Sequence, residues 1–391
     1  MLGTKLTPWP NFTEEEIAKV SEVLRSNKVN YWTGEEGRSF EKEFAEYYGT
    51  RYAIALANGS VAIELALLSL GVGEGDEVIV TPRTFIASVS SVINVGAIPV
   101  FADVEPHSGN ISAATMSAVI TDKTKAVICV HIGGWPCDMD EIMELAEQHD
   151  FYVIEDCAQA HGSSYKNRKV GSIGHMAAFS FCQDKIMTTG GEGGMLLCND
   201  QTLWNKAWSY KDHGKSWSAV YEMNHADGYR WLHESFGTNW RMTEMQSAIG
   251  RIQLRKLSEW SEKRKQNAER YNASAFGCSA VIVPTVPEYI DYVPYKHYFY
   301  LNPEGLQPDW SRDRIILELN NKDVPCLSGT CSEVYLEKAF EGTGLRPEKR
   351  LPIAAELGDT SLCLLVHPTI TEAEMDRVCS IVRAVLTAAS V

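Results

Sequence analysis

An α/β fold built on a largely parallel sheet is predicted by three features of the chain. Short runs rich in Val, Ile and Phe recur from about residue 50 to 200. Amphipathic stretches of helical length separate them. The runs are apolar on both faces, the pattern of strands buried between two layers of helices.

Taken in order, strands are expected at 77–81, 98–103, 126–130, 151–155, 177–181 and 194–198. Helices are expected between them at 60–70, 86–95 and 139–148. Asp138, after Trp135-Pro136-Cys137, is a residue of N-cap type for the third of these. A long amphipathic helix is expected over 243–272, with Met245, Ile249, Ile252 and Leu257 on its apolar face. The Pro-rich stretch 283–294 reads as a linker into a second domain, which carries helices at 311–320 and 372–387. A chain of 391 residues exceeds what one core serves well. The expected division is a large domain over 1–270, with an N-terminal helical segment, and a smaller α+β domain over 271–391.

Composition narrows the class of function. Thirty-six basic against fifty-one acidic residues leave a net charge of −15. That balance argues against nucleic acid or an anionic membrane as partner, whose phosphates a basic surface would have to neutralise. No basic-then-apolar leader opens the chain, and no apolar run approaches a membrane span. The ten cysteines include no Cys-x-x-Cys pair, so buried free thiols are expected rather than a zinc or redox site. No metal is expected. The profile is that of a cytoplasmic enzyme or binding protein.

Several chemically able residues fall at the carboxyl ends of predicted strands, where parallel sheets bind ligands. Asp156 follows the strand 151–155, and Ser180 and Lys185 stand at and just after 177–181. Gly59-Ser60 stands where a loop enters the helix 60–70. Each has a task if the ligand is pyridoxal phosphate (PLP). A carboxylate keeps the pyridine nitrogen protonated, and Asp156 is the candidate. An amine forms the Schiff base and moves the α-proton, and Lys185 is the candidate. Backbone N–H groups at a helix N-terminus hold phosphate, which Gly59-Ser60 would supply with help from the Ser180 hydroxyl. Phe85 offers an aromatic face for the ring. The glycines within 188–194 allow sharp turns and a close approach to a flat cofactor. Singly, each has a plainer explanation: a cap, a surface charge, a core ring. Their joint arrangement carries the argument.

These residues stand in a series of motifs. They run through Trp32-Thr33-Gly34, Ala57-Asn58-Gly59-Ser60 and Thr81-Pro82-Arg83-Thr84-Phe85 to Glu155-Asp156-Cys157-Ala158-Gln159-Ala160-His161-Gly162. Phe179-Ser180-Phe181-Cys182-Gln183-Asp184-Lys185 and Asn239-Trp240-Arg241-Met242-Thr243-Glu244 follow. In this order they resemble, nearly end to end, the DegT/DnrJ/StrS family of PLP-dependent sugar aminotransferases. The resemblance implies the type I (aspartate-aminotransferase) fold, a mostly parallel sheet flanked by helices with a smaller C-terminal α+β domain. It implies that Lys185 is the Schiff-base lysine and Asp156 the partner of the pyridine nitrogen. Gln159 would lie near the ring hydroxyl, Gly59, Ser60 and Ser180 on the phosphate, and Phe85 over the ring. Asn239 would reach the phosphate of a neighbouring subunit's cofactor, making the active unit a homodimer with shared sites. The implied amino donor is L-glutamate and the acceptor a carbonyl sugar, for surface polysaccharide or lipopolysaccharide synthesis. Related sugar dehydratases carry histidine at the position of Lys185, so transamination is favoured over dehydration.

The acceptor is left open between a nucleotide-linked hexose and a free sugar acid. Basic residues for a diphosphate are offered by Tyr210-Lys211-Asp212-His213-Gly214-Lys215 and by Arg230. Against this, 327–335 lacks the Pro-x-x-Pro-Leu-His type of stretch common in nucleotide-sugar members. An oxidised 3-deoxy-octulosonate, aminated at its terminal carbon, and a cyclitol ketone are the alternatives. A PLP-binding regulator without turnover is the reading from a different class. A desulfurase is disfavoured because nothing marks a mobile nucleophilic cysteine.

Overall fold

The computed structural model describes residues 5–391. Seven strands form the central sheet: β1 (Tyr52–Leu56), β2 (Glu77–Val80), β3 (Ile98–Phe101), β4 (Thr124–Val130), β5 (Tyr152–Asp156), β6 (Met176–Ser180) and β7 (Gly194–Cys198). Their order is β1-β7-β6-β5-β4-β2-β3, with β7 antiparallel to both neighbours and the remaining pairs parallel. All six expected strands are present within two residues at each end. The seventh, β1, escapes the hydrophobic reading because two of its five residues are alanine.

Helices join successive strands, α1 (Gly59–Ser69) leading from β1 to β2, α2 (Ala87–Asn94) from β2 to β3 and α3 (Met139–His149) from β4 to β5. One core packs α1 and α2 on the face of Leu56, Val80, Ile128 and Ile154. Opposite, Val127, Cys129 and Val153 pack against α3. Strands buried on both faces cannot show polar alternation, which is why the sequence presents them as continuous apolar runs.

The long helix α4 (Glu244–Ala275) opens on a capping box. Thr243 Oγ1 accepts from the Gln246 N–H, and the Gln246 side chain closes back on Thr243. Of its expected apolar face, Ile252 and Leu257 are buried, whereas Met245 and Ile249 are half-buried. The second core lies beyond α4. It is built on an antiparallel sheet of β8 (Val281–Ile282), β9 (His297–Leu301), β10 (Cys326–Leu327) and β11 (Ser361–Leu364), in the order β8-β9-β11-β10. Helices α5 (Arg312–Asn321) and α6 (Glu372–Ala389) cover it. The whole is the type I PLP aminotransferase fold, with a smaller antiparallel C-terminal sheet.

Two local expectations differ from the structure. Asp138 precedes α3, but its carboxylate caps no N–H and accepts instead from the Tyr289 hydroxyl at 2.9 Å. The stretch 283–294 is no free linker. The Val293 N–H donates to Ser163 Oγ, and a Cβ on Gly134 would lie 2.0 Å from the Val293 carbonyl oxygen. The segment is therefore clamped against the large sheet's loops. All ten cysteines are free, and among the described residues no helix is long and apolar enough to cross a membrane.

Candidate active site

A cavity of about 970 Å³ opens at the carboxyl edge of the parallel strands. Asp156 and Ser180 are the last residues of β5 and β6, so the sheet itself places them at this edge. Gly59, Ser60, Phe85, Asp156, Gln159, Ser180 and Lys185 all line the cavity. Asn239 does not. It is exposed and pairs through its backbone with Asp212.

At the cavity floor, α1 begins one residue earlier than expected, at Gly59. Asn58 is its cap, Oδ1 accepting from the Val61 N–H at 3.0 Å. Gly59 and Ser60, in the first turn of α1, line the cavity, and their N–H groups have no acceptor within the helix. A Cβ on Gly59 would lie 2.7 Å from Ser180 Cβ, so only glycine lets the helix start approach β6 this closely. The result is a narrow cradle of N–H and hydroxyl donors of the kind that holds phosphate.

Asp156 is nearly buried. Its Oδ2 accepts from Ser88 Oγ at 2.7 Å, and its Oδ1 accepts from the Ala158 N–H at 3.1 Å. Thr84 Oγ1 lies 2.8 Å from Ser88 Oγ and extends the chain of hydroxyls. Gln159 is held by its Oε1, which accepts from the Gly133 N–H at 2.9 Å. The ring of Phe85 is 67% exposed with a free face on the cavity.

Lys185 is anchored through its backbone, its N–H donating to the Cys182 carbonyl and its carbonyl accepting from Trp9 Nε1 at 2.9 Å. The amine lies 5.0 Å from the centre of the Tyr295 ring. The Tyr295 hydroxyl donates to Asp184, and Lys296 Nζ is 3.8 Å from the same carboxylate. Burial pushes the Asp184 carboxyl up, but Lys185, the Tyr295 hydroxyl and Lys296 outweigh it and hold it below its ordinary value. His161 is fully buried nearby. Burial, together with Lys185 and Arg264, holds its imidazole at about 3, so it is uncharged at neutral pH.

Three further groups sharpen the picture. Of the glycine-rich segment 188–194, only Glu192 lines the cavity. The glycines turn the chain back instead, Gly190 and Gly191 at φ +89° and +124° and Gly194 against the Asn58 carbonyl. Lys211 is unavailable to a ligand's diphosphate, being fully buried over the Tyr31 ring at 3.6 Å and beside Glu41. Lys215 is likewise engaged, over the Trp32 ring and 3.3 Å from Asp212, while Arg230 is exposed. His131, Glu155 and Cys157 cluster closely, but His131 Nδ1 accepts from the Cys137 N–H. Its Nε2 meets Glu155, whose oxygens also accept from the N–H groups of Gly171, Ile173 and Gly174. That cluster is a closed structural network. Ser88, Tyr295 and Lys296 were not singled out by the sequence reading, because nothing local marks a residue that acts across a fold.

Residues 10–383 match the model of the DegT/DnrJ/EryC1/StrS aminotransferase family. The chain belongs to this family. It is a PLP-dependent sugar aminotransferase, and the family is the one its motifs resemble. Its structure superposes with a TM-score of 0.96 on an aminotransferase from Psychrobacter cryohalolentis, 58% identical and covering 97% of this chain and 98% of that one. Among curated relatives, GDP-perosamine synthase of Escherichia coli O157:H7 is 41% identical over 67% of this chain and 69% of its own. The dTDP-3-amino-3,4,6-trideoxy-alpha-D-glucose transaminase of Streptomyces venezuelae is 34% identical over 94% of this chain and 91% of its own. The donor cradle, the fixed carboxylate and the primary amine fit the three reactive parts of PLP, its phosphate, ring nitrogen and aldehyde.

Proposed function

We propose that the enzyme moves an amino group from L-glutamate to the carbonyl of a nucleotide-linked sugar destined for a surface polysaccharide. The observation that carries this reading is the convergence of Lys185, Asp156 and the N-terminus of α1 on one cavity. PLP supplies an electron sink for the carbanion at the substrate carbon. Asp156, oriented by Ser88 and Ala158, would hold the proton on the pyridine nitrogen. Lys185 Nζ would hold the cofactor and, as a free amine, would take and return the proton at the substrate carbon. Gly59, Ser60 and Ser180 would hold the phosphate, Phe85 would cover the ring, and Gln159 would meet the ring hydroxyl. The E. coli relative, a GDP-perosamine synthase, and the Streptomyces relative, a dTDP-amino-sugar transaminase, support a nucleotide-linked acceptor.

A free sugar acid such as an oxidised octulosonate is the second reading. It is favoured by Gly329, Thr330 and Cys331, which line the cavity in the very segment that departs from the nucleotide-sugar pattern. A homodimer also belongs to the proposal. Tyr229, Trp231 and Phe236 stand 79%, 83% and 98% exposed in the segment leading to Asn239, an apolar surface suited to a second copy.

The test is to load the protein with PLP and add L-glutamate without sugar. Loss of the visible absorption with release of 2-oxoglutarate is expected, and Lys185→Ala should abolish both. The aminated enzyme then discriminates acceptors, since only a true one restores the visible band. Restoration by an octulosonate and not by GDP- or dTDP-linked keto-sugars would select the second reading. If no amino donor bleaches the band, a PLP-binding regulator without turnover takes the place of the transaminase.

A further inference from the structure

A second cavity, of about 350 Å³, lies at the seam where the large sheet's loops, α4 and the C-terminal sheet meet. Trp135, Tyr292, Tyr298 and Tyr300 give it broad aromatic walls, and Arg83 borders it. None of its lining residues lines the cavity at Lys185.

Arg83 is the unusual member. It is 1% exposed, yet among the described residues no carboxylate pairs with it. Its Nη1 donates to Ser332 Oγ at 2.6 Å, and its Nη2 donates to Ser361 Oγ at 3.0 Å and more weakly to the Tyr300 hydroxyl. The guanidinium rests 5.5 Å and 5.7 Å from the centres of the Tyr298 and Tyr300 rings. All these partners are neutral, and Nε has no acceptor at all. A guanidinium taken out of water without a counter-charge is costly, and neutral hydroxyls and ring faces offset only part of that cost. Asn272 lines the same cavity, and its Oδ1 also lacks a donor.

We infer that this seam cavity binds a small organic carboxylate with a flat apolar body, its anionic head on Arg83 and its body against the aromatic walls. The volume suffices, since an apolar cavity of about 150 Å³ already holds benzene. Occupancy would reach the active site by a short route. Arg83 holds Ser332, and the Tyr298 hydroxyl accepts from the Thr330 N–H at 3.2 Å, while Thr330 and Cys331 line the Lys185 cavity. Arg83 also stands two residues before Phe85. A ligand that shifts Arg83 or Tyr298 therefore moves one wall of the active site.

The binding half of the inference is independent of which sugar or donor the enzyme uses. Its test is 19F NMR of 4-fluorobenzoate against the PLP-loaded protein. Saturable binding at about 1 mM or tighter is expected for the unaltered chain. Arg83→Met, which keeps the volume and removes the charge, should weaken it at least about tenfold. Val286→Trp, which places a ring in the cavity and leaves Arg83 intact, should do the same. No saturable binding, or equal binding by both variants and the parent, overturns the site and leaves the cavity to water. Saturating 4-fluorobenzoate should also change the dissociation constant of PLP by about threefold or more. An unchanged constant overturns the coupling to the active site.

Discussion

The hydroxyl of Ser88 donates to Oδ2 of Asp156 across 2.7 Å, and Thr84 Oγ1 stands 2.8 Å behind it. Ser88 lies on α2 and Asp156 at the end of β5, so a helix laid over the sheet fixes the carboxylate that faces the pyridine nitrogen in the proposed mechanism. Both groups are buried, where an oriented hydrogen bond to a charged acceptor is worth about 1.5–3 kcal/mol. Ser88→Ala should lower kcat by roughly ten- to a hundredfold while the protein stays folded. Steady-state kinetics with unchanged kcat would show that Asp156 needs no such support.

Gly59 is set by contact rather than by backbone conformation. An added Cβ would meet Ser180 Cβ at 2.7 Å and Ser180 Cα at 3.1 Å, so α1 or β6 must move. Overpacking of this kind costs about 1–3 kcal/mol, and the displaced N–H groups belong to the phosphate cradle. Gly59→Ala should therefore weaken PLP binding by about tenfold or more. Equilibrium dialysis of PLP against the variant reads this directly, and parental affinity would remove Gly59 from the cradle.

Two buried imidazoles give the stability a defined acid slope. Burial, with Lys185 and Arg264 for His161 and alone for His297, holds both rings at about 3 against an ordinary 6.5. Between those values the unfolded chain binds protons that the folded one refuses. Stability should then fall as pH drops from 6.5 toward 3, by up to about 1.4 kcal/mol per pH unit for each ring. Both ring nitrogens of His297 lack hydrogen-bond partners, so His297→Phe leaves no donor or acceptor stranded. Urea midpoints at pH 7 and pH 5 should show a smaller acid loss in that variant. An identical loss would mean that His297 does not contribute to the slope.

Glu155 is fully buried at the centre of a closed network. Burial pushes its carboxyl up, but the bond to His131 and the N–H groups of Gly171 and Gly174 outweigh that and hold it below its ordinary 4.5. Its contribution is therefore complete above about that value and is lost as pH falls through the lower folded value. Glu155→Gln replaces one accepting oxygen by a donor facing N–H groups, which should cost about 3–5 kcal/mol. A denaturant midpoint within error of the parent's would show that the network rearranges freely.

Much of this was legible because the chemistry stands on regular elements. The strands that carry Asp156 and Ser180 are apolar on both faces, so their ends could be found to within one residue. Lys185 followed from its position just after one of those ends, and Gly59 from the loop that enters the helix at 60. What was not legible depends on segments that meet only after folding. Tyr295 directly follows the stretch that reads as linker, yet it reaches Asp184 beside Lys185. Lys211 reads as a free cation in a polar loop, but Tyr31 and Glu41, 180 and 170 positions earlier in the chain, enclose it.

By itself, then, the sequence determined the alternation of buried strands and helices, the carboxyl edge as the place of the site, and the residue types that PLP chemistry needs. Each of these depends on local periodicity, on turn residues, or on a group's own acid–base and nucleophilic character. The tertiary structure alone decided which side chains orient those groups. It placed Ser88 behind Asp156, held Lys211 away from any ligand, and left Arg83 buried between the two sheets with, among the described residues, no carboxylate paired to it. Such pairings join residues tens to hundreds of positions apart, and only the packed fold brings them within a few ångströms.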